Sequence, residues 1–374
     1  MKIIFAGGGT AGHINPAVAI AKLIKNIDPN SKVLFIGTKR GLEKELVPNA
    51  GFDIQFIDTL GFKRKFSGYN IKALIKMFLS YSQSVKIIKA FKPDIVVGTG
   101  GYVSGPALAA AVRHKIPTLI HEQNVFPGLT SRLLGGIVDV VCVSFLQSKA
   151  VFKNAKKIVY TGNPLRHELF QITKTEARKK MGIDERPFIV AFGGSLGAEK
   201  LNDAILDFII SSKDKTAFQL LLSSGEAQFK EITKRLGENE AEGNPNIKIM
   251  SYIHNMEYPL CAADLIISRA GAITISEITA LGKPSILIPS PNVTDNHQEH
   301  NARTLADAGA AIVITERELT GKSFSKCVND LIFKKDKLIQ MGEKSKGLGI
   351  TTATEKISEI IFNLTKQKTK GVLK

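Results

Sequence analysis

From its first residues the chain alternates short apolar runs with longer segments whose apolar positions recur at helical spacing. KIIFA is followed by an amphipathic stretch from Pro16 to Lys25, VLFIG by a charged helical pattern, and DIVVG by an Ala-rich one. PTLIHEQ and VDVVCVS (Val138 to Ser144) continue the series. This is the strand-helix-strand rhythm of a parallel sheet. The rhythm breaks at TGNPLR, residues 161–166, where a proline turn leads into a long charged segment. It resumes at PFIVAFGG (Pro187 to Gly194) and runs through FQLLLSS, NIKIMSY, ADLIISR, KPSILIPSP and AAIVI. The pattern predicts two doubly wound, Rossmann-like α/β domains, residues 1–162 and 163–374. In such sheets ligands sit at the carboxyl ends of the strands, so the expected site is a cleft where two domains face each other. The ending, SEIIFNLTKQKTKGVLK, reads as a last helix and a basic end.

Composition narrows the class. With 44% hydrophobic and 23% charged residues among 374, the chain is not predominantly disordered, collagen-like or a coiled coil. Its net charge of +17 predicts an anionic partner: nucleic acid, an acidic membrane surface or a phosphorylated substrate. The excess is localised. Residues 1–162 hold 22 basic and 8 acidic side chains, and the stretch 61–92 holds eight Lys or Arg and no acid. From Ile71 onward Leu74, Ile75, Phe78, Leu79, Val85 and Ile88 recur at helical spacing, with Lys72, Lys76, Lys86 and Lys89 on other faces. Two readings stay open: a helix with a buried face and solvated lysines, or an apolar patch of Ile75, Phe78 and Leu79 ringed by Lys63, Arg64, Lys65, Lys72 and Lys76 and laid against an anionic leaflet. The aromatic residues of this stretch form no RNA or DNA recognition motif, which argues against nucleic acid.

The three cysteines, Cys142, Cys261 and Cys327, are far apart and form no Cys-x-x-Cys pair, the usage of a reducing compartment. The N-terminus has no signal-peptide order, and nothing approaches 18 consecutive apolar residues. Any membrane contact is therefore expected to be peripheral.

Three glycine loops follow strands. Gly7-Gly8-Gly9-Thr10-Ala11-Gly12-His13 satisfies G-x-G-x-x-G, and Gly98 to Pro106 and Gly193 to Ala198 are comparable. Each can serve close helix-on-strand packing or phosphate binding by backbone amides at a helix N-terminus, and together they favour a ligand with several phosphates. A nicotinamide reading wants an acid after the second strand, where Thr38, Lys39 and Arg40 stand, although Arg40 suits a 2′-phosphate. A P-loop wants Gly-Lys-Ser/Thr, but His13 and Ile14 follow Gly12.

Longer motifs carry a resemblance. SRAGAITISE (268–277), LGKPSILIPSP and DNHQEHNA, preceded by GGGTAGHINPAVAIA, GTGGYVSGP, HEQN, GNPLR and GGSLGAEKLN, occur in one order along residues 1 to 310. The chain thereby resembles the MurG family of peptidoglycan N-acetylglucosaminyltransferases. The resemblance implies the GT-B fold. It implies transfer of GlcNAc from UDP-GlcNAc to the C4 hydroxyl of MurNAc in undecaprenyl-diphosphoryl-MurNAc-pentapeptide, with inversion, at the cytoplasmic face of the bacterial membrane. It makes residues 1–162 the acceptor and membrane-association domain and 163–374 the donor domain, with the last helix (about 350–366) returning to the first. Other cell-wall synthesis proteins are candidate partners.

The resemblance also assigns residues. Glu277 would hold the ribose hydroxyls, as a carboxylate at a helix start can, and backbone near Ile253 would read uracil. Ser195 and Arg166 would contact the diphosphate. Gln298 and His297 occupy sugar-hydroxyl positions, with Asn124 approaching from the other domain. Ala272 would present a backbone amide, and Arg269 would lie against the base. On the acceptor side Thr10 and His13 belong to the diphosphate loop, and Tyr102, His121 and Glu122 line the site.

Inverting transfer needs a base for the acceptor hydroxyl and something to neutralise the departing diphosphate. No Asp-x-Asp occurs in the sequence, so loop amides, helix N-termini, Ser195 and Arg166 are expected to meet that charge without a metal or other cofactor. For the base, His13 suits neutrality, an imidazole having a reference pKa of ~6.5, and Glu122 competes with it. The alternative activity is a UDP-GlcNAc 2-epimerase of the same fold, which would have no use for a basic apolar patch.

Overall fold

The computed structural model describes residues 1–61, 68–194, 197–212, 216–237 and 244–372, with side chains as far as 366. The chain divides into two units, Met1–Leu165 together with Thr351–Lys374, and Arg166–Ile350. The division falls three residues beyond the expected 162. Asn163 explains the shift: its Oδ1 accepts from Ser144 Oγ at 2.8 Å and its Nδ2 donates to the Gln123 carbonyl at 3.2 Å, both within the first unit.

The first unit carries seven parallel strands: β1 (Lys2–Gly7), β2 (Lys32–Gly37), β3 (Asp53–Phe56), β4 (Ile95–Gly100), β5 (Thr118–Glu122), β6 (Val140–Val143) and β7 (Ile158–Tyr160). Their order is β3-β2-β1-β4-β5-β6-β7. Helices α1 (Ala11–Ile27), α2 (Glu43–Asn49), α3 (Gly68–Phe91), α4 (Ser104–Arg113) and α5 (Leu129–Leu134) connect them. Every residue of β4 and β5 is buried, as strands covered on both faces require. The two-residue period of β1 divides the core. Ile3 and Phe5 pack with Ile14, Ala17 and Ile20 of α1, and with Ile357 and Ile361 of the final helix (Ala353–Val372). Ile4 and Ala6 pack on the opposite face with Ala107, Ala110 and Ala111 of α4.

The second unit opens with α6 (Lys174–Met181), whose N-cap Thr173 and Glu176 form a capping box and whose C-cap Gly182 is left-handed. There follow β8 (Phe188–Phe192), α7 (Glu199–Ser211), β9 (Gln219–Ser223), α8 (Glu226–Gly237), β10 (Ile247–Met250), α9 (Glu257–Ala262), β11 (Leu265–Ser268), α10 (Ala272–Ala280), β12 (Ser285–Leu287), α11 (His297–Asp307), β13 (Ala311–Val313), α12 (Gly321–Ile332) and α13 (Lys335–Leu348). The sheet order is β10-β9-β8-β11-β12-β13, again parallel throughout.

Both sheets therefore reverse their winding beside the first strand, between β1 and β4 and between β8 and β11. The loops leaving those strands diverge there, and that divergence opens the crevice in which doubly wound sheets hold ligands. At the first reversal the backbones approach so closely that a Cβ on Gly101, which has φ +73°, would lie 2.4 Å from the Gly8 carbonyl.

Candidate active site

In the first unit His13 stands in the opening turn of α1, half-buried beside the reversal. Its Nδ1 lies 3.0 Å from Oε1 of Gln123, at the end of β5. The Gln123 Nε2 donates to the Thr99 carbonyl at 2.8 Å and lies 2.9 Å from Nδ1 of His121. His121 is completely buried, and its Nε2 faces the Gly162 carbonyl at 3.1 Å and Ser144 Oγ at 3.0 Å. Burial pushes the His121 pKa down to about 4, against the opposing pull of the Gly162 hydrogen bond, so the ring is neutral. His121 thus corrects the expectation of a residue lining the acceptor site: it lies beneath the surface and supports Gln123.

Glu122 is also buried, at 3% exposure. One carboxylate oxygen accepts from the Asn124 amide at 3.0 Å and from Asn124 Nδ2 at 3.2 Å, and the other accepts from the Gly128 amide at 3.2 Å. The HEQN turn is therefore held by its own glutamate. Asn124, expected on the donor sugar, gives its side-chain amide to this bond. Thr10 is exposed at the N-cap of α1 and makes no side-chain capping bond. Tyr102 is 39% exposed, and burial of its phenol, with Glu43 nearby, raises its pKa.

Glu43 was not singled out by the sequence. It is fully buried at the start of α2, and it accepts from the Gly9 amide at 2.9 Å and from the Thr38 amide and hydroxyl at 2.8 Å each. A carboxylate with three donors in a dry site fixes the glycine loop against the end of β2.

In the second unit Glu277 is the sixth residue of α10, one turn deeper than a helix-start carboxylate. The Arg166 guanidinium lies 3.5 Å from Glu277 and 3.6 Å from Glu257, a second acid that sequence reading passed over. Burial raises the Glu277 carboxyl above the usual range, and Arg166 partly opposes it. Ala272 is the first residue of α10 and is nearly buried. Gln298, in the first turn of α11, accepts through Oε1 from the Ser290 amide at 2.9 Å and the Ala270 amide at 3.3 Å, so its other amide atom is the donor Nε2. His297 Nδ1 lies 2.7 Å from the Thr294 carbonyl. Ile253 is buried in the loop after β10. Ser195 lies outside the described residues.

Arg269 corrects another expectation. Its guanidinium donates to the Ile288 carbonyl at 3.1 Å and the Pro289 carbonyl at 3.3 Å, and pairs with Glu316. These partners use the edge of the group to brace the strand ends, because a mostly buried cation needs every donor satisfied. Among the described residues no three His, Cys, Asp or Glu side chains gather as a metal site.

Helix α3 inverts the usual amphipathic arrangement. Its buried positions are mostly small, Ala73, Ser80 and Ser84 with Ile87 and Ile88. Its large apolar side chains face out: Ile71, Leu74, Ile75, Phe78 and Leu79 are 44–65% exposed. Lys72 is exposed, whereas Lys76 pairs with Asp58. Among the described residues no helix is long and apolar enough to cross a membrane.

The sequence models for the N-terminal and C-terminal domains of glycosyltransferase family 28 match residues 3–143 and 188–360. The chain is 50% identical over 372 residues to the UDP-N-acetylglucosamine–N-acetylmuramyl-(pentapeptide) pyrophosphoryl-undecaprenol N-acetylglucosamine transferase of Acetivibrio thermocellus, covering 99% of this chain and 100% of that protein. Against the protein of the same name from Clostridioides difficile the identity is 41%, over 99% of this chain and 91% of the relative. Among solved structures, Acinetobacter baumannii MurG superposes with a TM-score of 0.76 at 28% identity, covering 97% of this chain and 99% of that one. The UDP-GlcNAc 2-epimerase of Neisseria meningitidis bound to UDP-GlcNAc aligns over 97% of this chain and 100% of that one with a TM-score of 0.67, but at 16% identity, a likeness of fold.

Proposed function

The chain belongs to the family 28 glycosyltransferases that bear the pyrophosphoryl-undecaprenol N-acetylglucosamine transferase name, and from that membership we infer its reaction and the parts its residues play. It is an N-acetylglucosaminyltransferase of peptidoglycan synthesis. UDP-GlcNAc is the donor, and the lipid-linked MurNAc-pentapeptide is the acceptor. The observation that carries this is 50% identity over 372 residues, 99% of the chain. The epimerase alternative has only a shared fold behind it.

The bond is made at the C4 hydroxyl of MurNAc with inversion at the sugar carbon, and His13 is the general base. The geometry favours His13 over Glu122, because both oxygens of that carboxylate already accept backbone or side-chain N–H groups in a dry turn. A carboxylate so held loses those bonds when it takes a proton. The glycine loop with exposed Thr10 receives the acceptor diphosphate at the N-terminus of α1, and Tyr102 lies beside it.

On the donor side Glu277 takes the ribose hydroxyls, and backbone about Ile253 takes uracil. Arg166, the loop containing Ser195 and the amide of Ala272 at the start of α10 carry the diphosphate charge as it departs, without a metal or other cofactor. The Gln298 Nε2 and His297 contact the sugar hydroxyls.

The exposed face of α3 docks on the cytoplasmic leaflet, with Ile75, Phe78 and Leu79 in the interface and Lys72 and Lys76 near anionic headgroups. Each such cation contributes roughly 1 kcal/mol. Of the two, Lys72 has the greater reach, since Asp58 holds Lys76.

The test is incubation of labelled UDP-GlcNAc with polyprenyl-diphosphoryl-MurNAc-pentapeptide, with and without EDTA. Disaccharide-lipid forms in both. Absence of product overturns the transferase reading, and a 2-epimer formed without acceptor replaces it with the epimerase. EDTA-sensitive product removes only the metal-free clause.

A further inference from the structure

We propose that Gln123 is a positioning residue that holds His13 as its Nδ1–H tautomer, leaving Nε2 as the nitrogen that takes the acceptor proton. This rests on His13 being the base.

The assignment follows from which groups can only accept. The Thr99 carbonyl cannot donate, so the Gln123 atom 2.8 Å from it must be the amide NH2. The same NH2 lies 2.9 Å from His121 Nδ1. The His121 Nε2 faces the Gly162 carbonyl, again an obligate acceptor, at 3.1 Å. His121 therefore carries its proton on Nε2 and accepts on Nδ1, as a fully buried neutral ring can. Both constraints orient the Gln123 amide the same way, so its oxygen is what faces His13 Nδ1 at 3.0 Å. An amide oxygen accepts only, and Nδ1 must bring the hydrogen. The lone pair of the neutral imidazole is then on Nε2.

The backbone keeps this contact short. Gly100 has φ +106°, and a Cβ there would lie 2.5 Å from His13 Nδ1 and 3.3 Å from Gln123 Oε1. Any side chain at this position would intrude on the His13–Gln123 bond. The glycine loop after β4 thus serves the imidazole as well as the packing of β4 against β1.

In the reaction the acceptor oxygen forms its bond to the sugar C1 as the bond from C1 to the diphosphate oxygen breaks, and that electron pair leaves with UDP. The hydroxyl proton goes to His13 Nε2. The imidazolium keeps its first proton on Nδ1, still donated to Gln123. A neutral amide does here what a carboxylate does in a Ser-His-Asp centre: it selects the tautomer.

The experiment is a long-range ¹⁵N–¹H correlation spectrum of the imidazoles in the full-length protein near neutral pH, with His13→Ala identifying the signal among seven histidines. Wild type shows Nδ1 protonated and Nε2 bare. Gln123→Leu shows a mixture of tautomers and a kcat about tenfold lower, the worth of one neutral hydrogen bond, with KM for UDP-GlcNAc within about twofold. Wild-type-like far-UV circular dichroism and a single cooperative unfolding transition in Gln123→Leu separate positioning from a folding defect. Gln123→Glu is not a rescue, because its second carboxylate oxygen would face the Thr99 carbonyl and His121 Nδ1, which both need a donor. A wild-type His13 protonated on Nε2, or a Gln123→Leu variant with unchanged tautomer and kcat, overturns the proposal. A changed His13 tautomer in Gln123→Leu, with kcat unchanged both in that variant and in His13→Ala, overturns the base assignment instead.

Discussion

The carboxylate of Glu43 accepts the backbone amide of Gly9 at 2.9 Å, from a position with no solvent exposure, so the first glycine loop is clamped from beneath by a residue 34 positions away. Glu43→Gln replaces one carboxylate oxygen by an NH2, which opposes the Gly9 or the Thr38 N–H. An orphaned buried donor costs about 1–3 kcal/mol. Thermal unfolding should move to lower temperature by several degrees, and KM for the lipid acceptor should rise as the loop loosens.

His13→Ala should lower kcat by about 10²–10⁴, the usual span for a positioned base. UDP affinity should stay unchanged, because His13 belongs to the first unit and Glu277 and Arg166 to the second. Calorimetric titration with UDP beside steady-state turnover separates the two effects.

Burial raises the Glu277 carboxyl, and in the proposed donor site the ionised carboxylate would accept both ribose hydroxyls, which the protonated acid would do less well. UDP affinity should therefore weaken as pH falls through that raised value, at a higher pH than an ordinary glutamate would give. Glu277→Gln should bind UDP tenfold or more weakly, since hydrogen bonds to a charged group contribute about 1.5–3 kcal/mol, and should lose this acid limb. For stability the sign is opposite. Above the unfolded pKa the native protein holds more protons on Glu277, so its contribution falls as pH rises through the shifted value. The glutamine variant should accordingly keep its melting temperature at neutral pH while losing affinity.

Lys283 donates to the Cys261 carbonyl at 2.6 Å and the Ala263 carbonyl at 2.9 Å, closing the end of α9, and burial lowers its pKa to about 8. Between that value and the unfolded ~10.4 the unfolded chain binds the extra proton, so stability should rise with pH across the window. Chemical denaturation of wild type and Lys283→Met over this range should show the rise only in wild type.

Phe78 and Leu79 are 65% and 50% exposed. Replacing both by serine should change unfolding free energy by no more than about 0.5 kcal/mol, as exposed positions do. Flotation with anionic vesicles should fall more than tenfold, since each side chain contributes about 1.5–3 kcal/mol when fully buried. Charge reversal at Lys72 should weaken binding further, and added salt should mimic it.

Apolar runs and glycine punctuation are local signals, so the residues alone marked the three glycine loops, the two-domain series, all six strands of the second unit and five of the seven in the first; the edge strands β3 and β7, short and only partly buried, carry no such run. The sequence also marked α3 as helical from its spacing. It left open which stripe of α3 turns inward, since Ala73, Ser80 and Ser84 are less hydrophobic than the residues they leave outside. Only packing against α4, where small side chains permit close approach, decided that. The site divides the same way. The motifs point to His13 and Glu122 alike; Glu122 bonds within its own turn, a local arrangement, whereas the partner of His13, Gln123, lies 110 residues away and is brought to it only by the fold. Arg166 stands between Glu257 and Glu277 for a comparable reason. Local pattern specifies an element, whereas a hydrogen-bond partner or a buried charge is specified by whichever chain segment the fold brings alongside it.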